Sequence, residues 1–135
     1  MNYAELHCVS HYSFLRGASH PADLIKTASA LGYRALALTD ECSLAGIVKA
    51  HVAAQEYGLQ LIIGSEFKLD SQRLIALVTN RQSYSELSAL ITLARRRSSK
   101  GEYNIRWSDL QHNLRSGLIV WLPSGNTDCD NPLAQ

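Results

Sequence analysis

The stretch ALALTDECSLAGIVKAHVAAQEYGLQLIIGSEF, Ala35 to Phe67, decides the fold. It opens on a short, almost wholly apolar run, Ala35 to Thr39, of the kind that forms a parallel strand buried on both faces. A polar exit, DECS, follows. Leu44, Ile47, Val48 and Val52 then recur at helical spacing over Leu44–Tyr57, and Gly58 is a natural stop. The segment closes on a second buried strand, Leu59–Phe67. Strand, helix and strand in this order predict a parallel crossover.

The flanks repeat the alternation. Upstream, Tyr3–Val9 reads as a strand and Ser10–Ser19 as a loop. Ser19, His20 and Pro21 open a helix whose apolar face is Leu24, Ile25, Ala28 and Leu31, ended by Gly32. Downstream, Leu74–Thr79 is a strand, and Asn80 caps a helix carrying Tyr84, Leu87, Leu90, Ile91 and Ala94. Ser108 is the expected cap of a short helix through Asn113, before a last strand, Gly117–Leu122. The predicted class is α/β, a layer or barrel of mostly parallel strands with flanking helices.

The chain has 135 residues, enough for one domain; 46% are apolar and 19% charged. A net charge of +1 confines any nucleic-acid contact to a local patch, for which Arg95, Arg96, Arg97 and Lys100 are the candidates. Against this, a charge run at a helix end also suits the helix dipole and solvent. Three cysteines without a CxxC pair favour a reducing, cytoplasmic setting. The N-terminus lacks the pattern of a signal peptide, and no apolar run is long enough to span a membrane.

In α/β folds function gathers at the C-terminal ends of the strands. There the sequence places His7, Ser10 and His11, then Thr39, Asp40, Glu41 and Cys42, then Glu66. His, Asp and Glu are ligand types for Zn²⁺, Mn²⁺ or Fe²⁺. Each residue also has a plainer role. His7 can be a hydrogen-bonded core histidine, Asp40 or Ser43 can cap the next helix, and Cys8 and Cys42 can be small buried hydrophobes. Glu66, on a buried strand, needs a cationic partner or a metal.

Taken in order, YAELHC, YSFLRGASHP, the segment Gly32–Phe67 and the segment Arg73–Tyr103 resemble the N-terminus of bacterial error-prone DNA polymerases, homologues of the replicative polymerase α-subunit. The matching part is their polymerase and histidinol phosphatase (PHP) domain, and the likeness covers about Asn2 to Leu122. It implies a distorted (β/α)₇ barrel, here in part, over residues 1–122, with 123–135 a polar, irregular tail. It further implies association with DNA and with replication or repair proteins, in damage-induced translesion synthesis. Active members hold three divalent metals and hydrolyse phosphoesters or act as a 3′–5′ exonuclease.

The ligand pattern of active members is broken in this chain. The family's His-x-His pair is His7 and Val9. Arg16 stands for an Asp, Glu41 for a His and Arg73 for a His; Asp40 and Glu66 are kept. Two arginines among divalent cations would cost several kcal/mol, on the order of 4 per like-charged pair at 4 Å. The resemblance therefore implies a remnant site of His7, Asp40 and Glu66, with His11, Glu41, Arg16 and Arg73 assisting or replacing ligands, and arginines paired to Asp40 or Glu66. On this view no metal is tightly held; if one is, it is Zn, Mn or Mg. Three roles follow as expectations: a scaffolding segment, a metal-dependent phosphoesterase or exonuclease, and an inert remnant or interaction module. A partial barrel would also expose strand edges, favouring self-association.

Overall fold

The computed structural model describes residues 2–123, and the expected tail lies outside them apart from Pro123. Its elements are β1 (Ala4–Cys8), α1 (Pro21–Ala30), β2 (Ala35–Leu38), α2 (Ile47–Tyr57), β3 (Gln60–Leu69), β4 (Gln72–Leu77), α3 (Arg81–Arg96), α4 (Trp107–Asn113) and β5 (Leu118–Leu122). The five strands form one sheet in the order β1-β2-β3-β4-β5. Helices α1 and α2 cover its first half, and α3 and α4 the second.

The crossover read from Ala35–Phe67 is present: β2 pairs with β3 in parallel, Ala35 opposite Gln60 through Leu38 opposite Ile63. β1 joins β2 in parallel as well. The parallel expectation stops there. β3–β4 and β4–β5 are antiparallel; for β3–β4 the reason is that only Asp70 and Ser71 separate the strands. Two residues suffice for a hairpin but not for a parallel crossover, which needs a dozen or more. Asp70 takes a positive φ of 50° to make this turn.

Helix boundaries follow local chemistry. Gly58 adopts φ 67° at the end of α2, where a side chain would be strained. Asn80 caps α3 by accepting from Ser83 N at 2.8 Å, while Ser83 Oγ accepts from Asn80 N at 3.0 Å. Two expected caps are not used. α2 starts at Ile47 rather than Leu44, with Gly46 before it and no side-chain cap. α4 starts at Trp107, so Ser108 lies within its first turn, and Asp109 accepts from Arg106 N at 2.8 Å instead.

Phe67, Leu74, Leu87, Leu90 and Leu110 form the core between the antiparallel strands and α3–α4. Ile25, Leu36, Leu38 and Ala53 form a second, under α1 and α2, and Ala37, Ile75 and Leu77 a small third. Phe67 and Leu74 face each other across β3–β4. By strand alternation Glu66 and Arg73, one position along, fall together on the opposite face. Thus the hairpin that fills the core also brings a carboxylate and a guanidinium side by side.

Phe67 is fully buried and Phe14 is 85% exposed. Phe67→Ala is expected to destabilise the chain by about 3–5 kcal/mol and Phe14→Ala by no more than about 0.5 kcal/mol. Urea unfolding of both variants measures the difference.

Candidate functional site

Beyond Leu38 the chain continues alongside β3. Glu66 N donates to Asp40 O at 3.0 Å, Cys42 N donates to Glu66 O at 2.9 Å, and Glu41 bridges Glu66. This extension places Glu41 next to Glu66. The loop after β1 lies over both, and its shape is tightly determined. A Cβ on Gly17 would stand 2.0 Å from Ser10 O, so only glycine fits. Leu15 has φ 62°, a conformation costly for leucine by roughly 1–2 kcal/mol. In this turn Phe14 stays exposed while Arg16 reaches the sheet.

Glu66 is the centre of the arrangement. It is fully buried, and its Oε2 accepts from Arg16 Nη1 at 2.6 Å and lies 3.2 Å from His7 Nε2. Its Oε1 accepts from Arg73 Nη1 at 3.0 Å. Glu41, partly exposed, accepts from Arg16 at 3.1 Å, from Arg73 at 3.5 Å and from Tyr103 Oη at 2.7 Å. Two carboxylates thus share two arginines. Burial pushes the Glu66 pKa up, but the bonds from Arg16, His7 and Arg73 outweigh it and hold the carboxyl below the ordinary glutamate range.

Asp40 neither caps α2 nor meets an arginine. Its Oδ1 accepts from Ser10 N at 2.7 Å and Ser13 Oγ at 2.8 Å, and its Oδ2 from Ser10 Oγ at 2.7 Å. All three partners come from the β1–α1 loop, so Asp40 ties that loop to β2. The expected arginine pairing therefore falls on Glu66 and Glu41, with hydroxyl and amide donors serving Asp40. His11 points elsewhere: its ring Nδ1 lies 3.3 Å from Ser19 O and its ring stands 4.3 Å from that of His20, which closes the loop. Cys8 and Cys42 are thiols pushed up to about 11 by burial. They are poor nucleophiles near neutral pH. Among the described residues no three His, Cys, Asp or Glu side chains are grouped so as to hold a metal ion.

The basic cluster does not form one face. Arg95 turns inward and donates to the carbonyls of Cys42 at 3.2 Å and Glu102 at 3.1 Å, with its guanidinium over the Tyr103 ring. Arg97 forms a two-bond pair with Asp109, at 2.7 and 3.2 Å. Arg96 and Lys100 are exposed, with no hydrogen bond or ion pair among the described residues. Sequence reading missed the roles of Ser10, Ser13, Arg95 and Tyr103. The hydroxyls in SHYS were a visible signal; the reach of Tyr103 across 62 residues to Glu41 was not.

Comparison with known proteins agrees with this architecture. The model of the PHP domain matches residues 5–133, and the chain belongs to that family. The error-prone DNA polymerases of Teredinibacter turnerae and Saccharophagus degradans are 58% and 57% identical to it, over 94% and 93% of this chain. The chain spans only 12% of the length of each. A solved structure from Bifidobacterium adolescentis, assigned as a metal-dependent phosphoesterase, superposes with a TM-score of 0.58 at 24% identity. That match covers 84% of this chain and 44% of the other, and it shows a shared fold.

Glu66→Gln leaves Arg16 and Arg73 partly solvated and still paired with Glu41, so it is expected to destabilise by about 1–3 kcal/mol near neutral pH. The contribution of Glu66 is complete above its ordinary pKa of 4.5 and is lost as pH falls through the lowered folded value. Unfolding free energies measured across this acid range should fall less steeply in Glu66→Gln than in the parent chain.

Proposed function

We propose that this chain is the PHP segment of an error-prone DNA polymerase of damage-induced translesion synthesis, and that it acts as a scaffold in which arginines have taken over the work of metal ions. The high identity to two such polymerases supports the family context. The observation that carries the scaffolding role is the arrangement of Arg16 and Arg73 on the buried Glu66.

The donor set is a poor fit to a divalent metal. Both oxygens of Glu66 and both of Asp40 are already engaged, by arginines and by hydroxyl or amide donors. A cation entering beside Glu66 would meet two fixed positive charges and would have to displace them. The arginines supply the same neutralisation from within the chain, and they fasten the β1–α1 loop and β4 to the centre of the sheet. The polymerase palm, nucleotidyl transfer and the contacts with replication or repair proteins belong to the longer protein in this reading.

Isothermal titration of the chelator-treated chain with Mn²⁺ or Zn²⁺ is expected to give no stoichiometric binding. One tightly held equivalent, lost in His7→Ala and Glu66→Gln, would overturn the scaffold and restore the phosphoesterase or exonuclease reading.

DNA is the proposed macromolecular partner, and Arg96 and Lys100 are the residues placed to touch its backbone, since Arg95 and Arg97 are spent within the fold. Arg96→Ala with Lys100→Ala should weaken DNA binding and flatten the dependence of log affinity on log salt by roughly 0.7–0.9 per lost phosphate contact. An unchanged slope in a titration across salt concentrations would remove these residues from the DNA path.

A further inference from the structure

The two edges of the sheet are built differently. β1 borders one side and β5 the other. β1 carries Glu5 and His7, and its register with β2 shifts between Glu5 and Cys8. Charges and irregularities of this kind keep an edge strand from pairing with another chain. β5 has neither. Its sequence is LIVWL, without a charge or a proline, and it pairs with β4 in unbroken register, from Leu118 opposite Leu77 to Leu122 opposite Arg73. Among the described residues no strand pairs with its far side. Every second residue there turns a backbone N–H and C=O outward, ready to extend the sheet.

The side chains beside this edge are apolar and only half covered. Leu118, Ile119, Trp121 and Trp107 are each between 40% and 58% exposed. Trp121 stacks on Trp107, the first residue of α4, with ring centroids 5.8 Å apart. A tryptophan half out of water leaves on the order of 100 Å² unburied. Ile119 and Trp121 share one face of the sheet by strand alternation. On the opposite face Val120 and Leu122 pack against Ile75 and Leu77. Both faces of the edge are therefore apolar, and no charge within β5 opposes a second copy of the same strand.

We propose that β5 is a self-pairing edge: two copies of the chain join β5 to β5 in antiparallel fashion, about a two-fold axis normal to the sheet at Val120. This register sets Ile119 opposite the partner's Trp121 and Leu118 opposite the partner's Leu122, so each contact is made twice. The stacked Trp107–Trp121 pairs of both copies then gather on one face. Pairing β5 with β1 would instead meet Glu5 and His7, and being head-to-tail it would leave an edge open to further copies. A five-residue edge with a few half-exposed side chains buries less than the roughly 1,200 Å² of standard-size interfaces, which suits a reversible, micromolar dimer.

Sedimentation velocity of the 135-residue chain in reductant, from low micromolar to near-millimolar concentration, tests this pairing. The expected result is a reversible monomer–dimer equilibrium with no larger species. The chain's 2 tryptophans both lie at the interface, so their emission should shift to shorter wavelength with the same midpoint as the mass. Ile119→Lys places a charge on an exposed edge position and should raise the dissociation constant by about tenfold or more, with far-ultraviolet circular dichroism unchanged. Leu118→Lys, on the other face of the strand, repeats the test should Ile119→Lys lose its fold. Leu93→Lys, exposed on α3, should leave the dimer intact. A monomer at every concentration overturns the proposal and leaves the edge to the chain beyond Pro123 or to a strand of another polypeptide. A dimer untouched by the lysines in β5, a dimer abolished by Leu93→Lys, or assembly beyond the dimer overturns it equally.

Discussion

A single buried carboxylate sets the terms for one end of this fold. Glu66 has no exposed surface, and an isolated charge there would be untenable. Its neutralisation requires Arg73 from β4, Arg16 from the β1–α1 loop and a bond with His7 from β1. Three separate segments converge on it. Glu41 then shares the same arginines and draws in Tyr103, which in turn accepts from Lys68 N at 2.8 Å. Removing the carboxylate would leave two guanidiniums facing each other with half their counter-charge gone.

Asp40 shows a different solution to the same problem. It is also buried, yet no arginine meets it. Three neutral donors from Ser10 and Ser13 surround it, and Ser13 Oγ accepts in turn from Glu41 N at 2.9 Å. Among the described residues no buried side-chain nitrogen or oxygen lacks a partner. The buried polar groups at this end of the sheet are therefore satisfied by bonds that join the loop to the strands.

The element order was legible from hydrophobic period and from Gly, Pro and Asn at the boundaries. The crossover from Ala35 to Phe67 was readable because strand and helix periods differ so plainly there. The antiparallel half was less so, since an apolar strand such as Leu74–Thr79 looks the same in either orientation; the short Asp70–Ser71 turn held the answer for β3–β4 alone. At the site, the departures at Arg16 and Arg73 pointed to ion pairs, and Glu66 to the need for them. Which carboxylate each arginine would reach depended on side-chain direction. Asp40 and Glu41 are adjacent, so strand alternation sends one toward the serines and the other toward the arginines. A list of residue types cannot express that. The inward turn of Arg95 was hidden for a similar reason, because a run of three arginines looks uniform until the helix separates them.

The hairpin between β3 and β4 has one more consequence. Arg73 lies 7 residues from Glu66 along the chain, and Arg16 lies 50 away. Bringing the distant arginine home costs roughly 2 kcal/mol more chain entropy than bringing the near one, by the logarithmic rule for loop closure. The two guanidiniums are alike in charge and unlike in this cost. Arg73 travels with the carboxylate it neutralises, whereas Arg16 is retained only as long as the loop that bears it stays closed, which gives the Asp40–serine clasp its purpose.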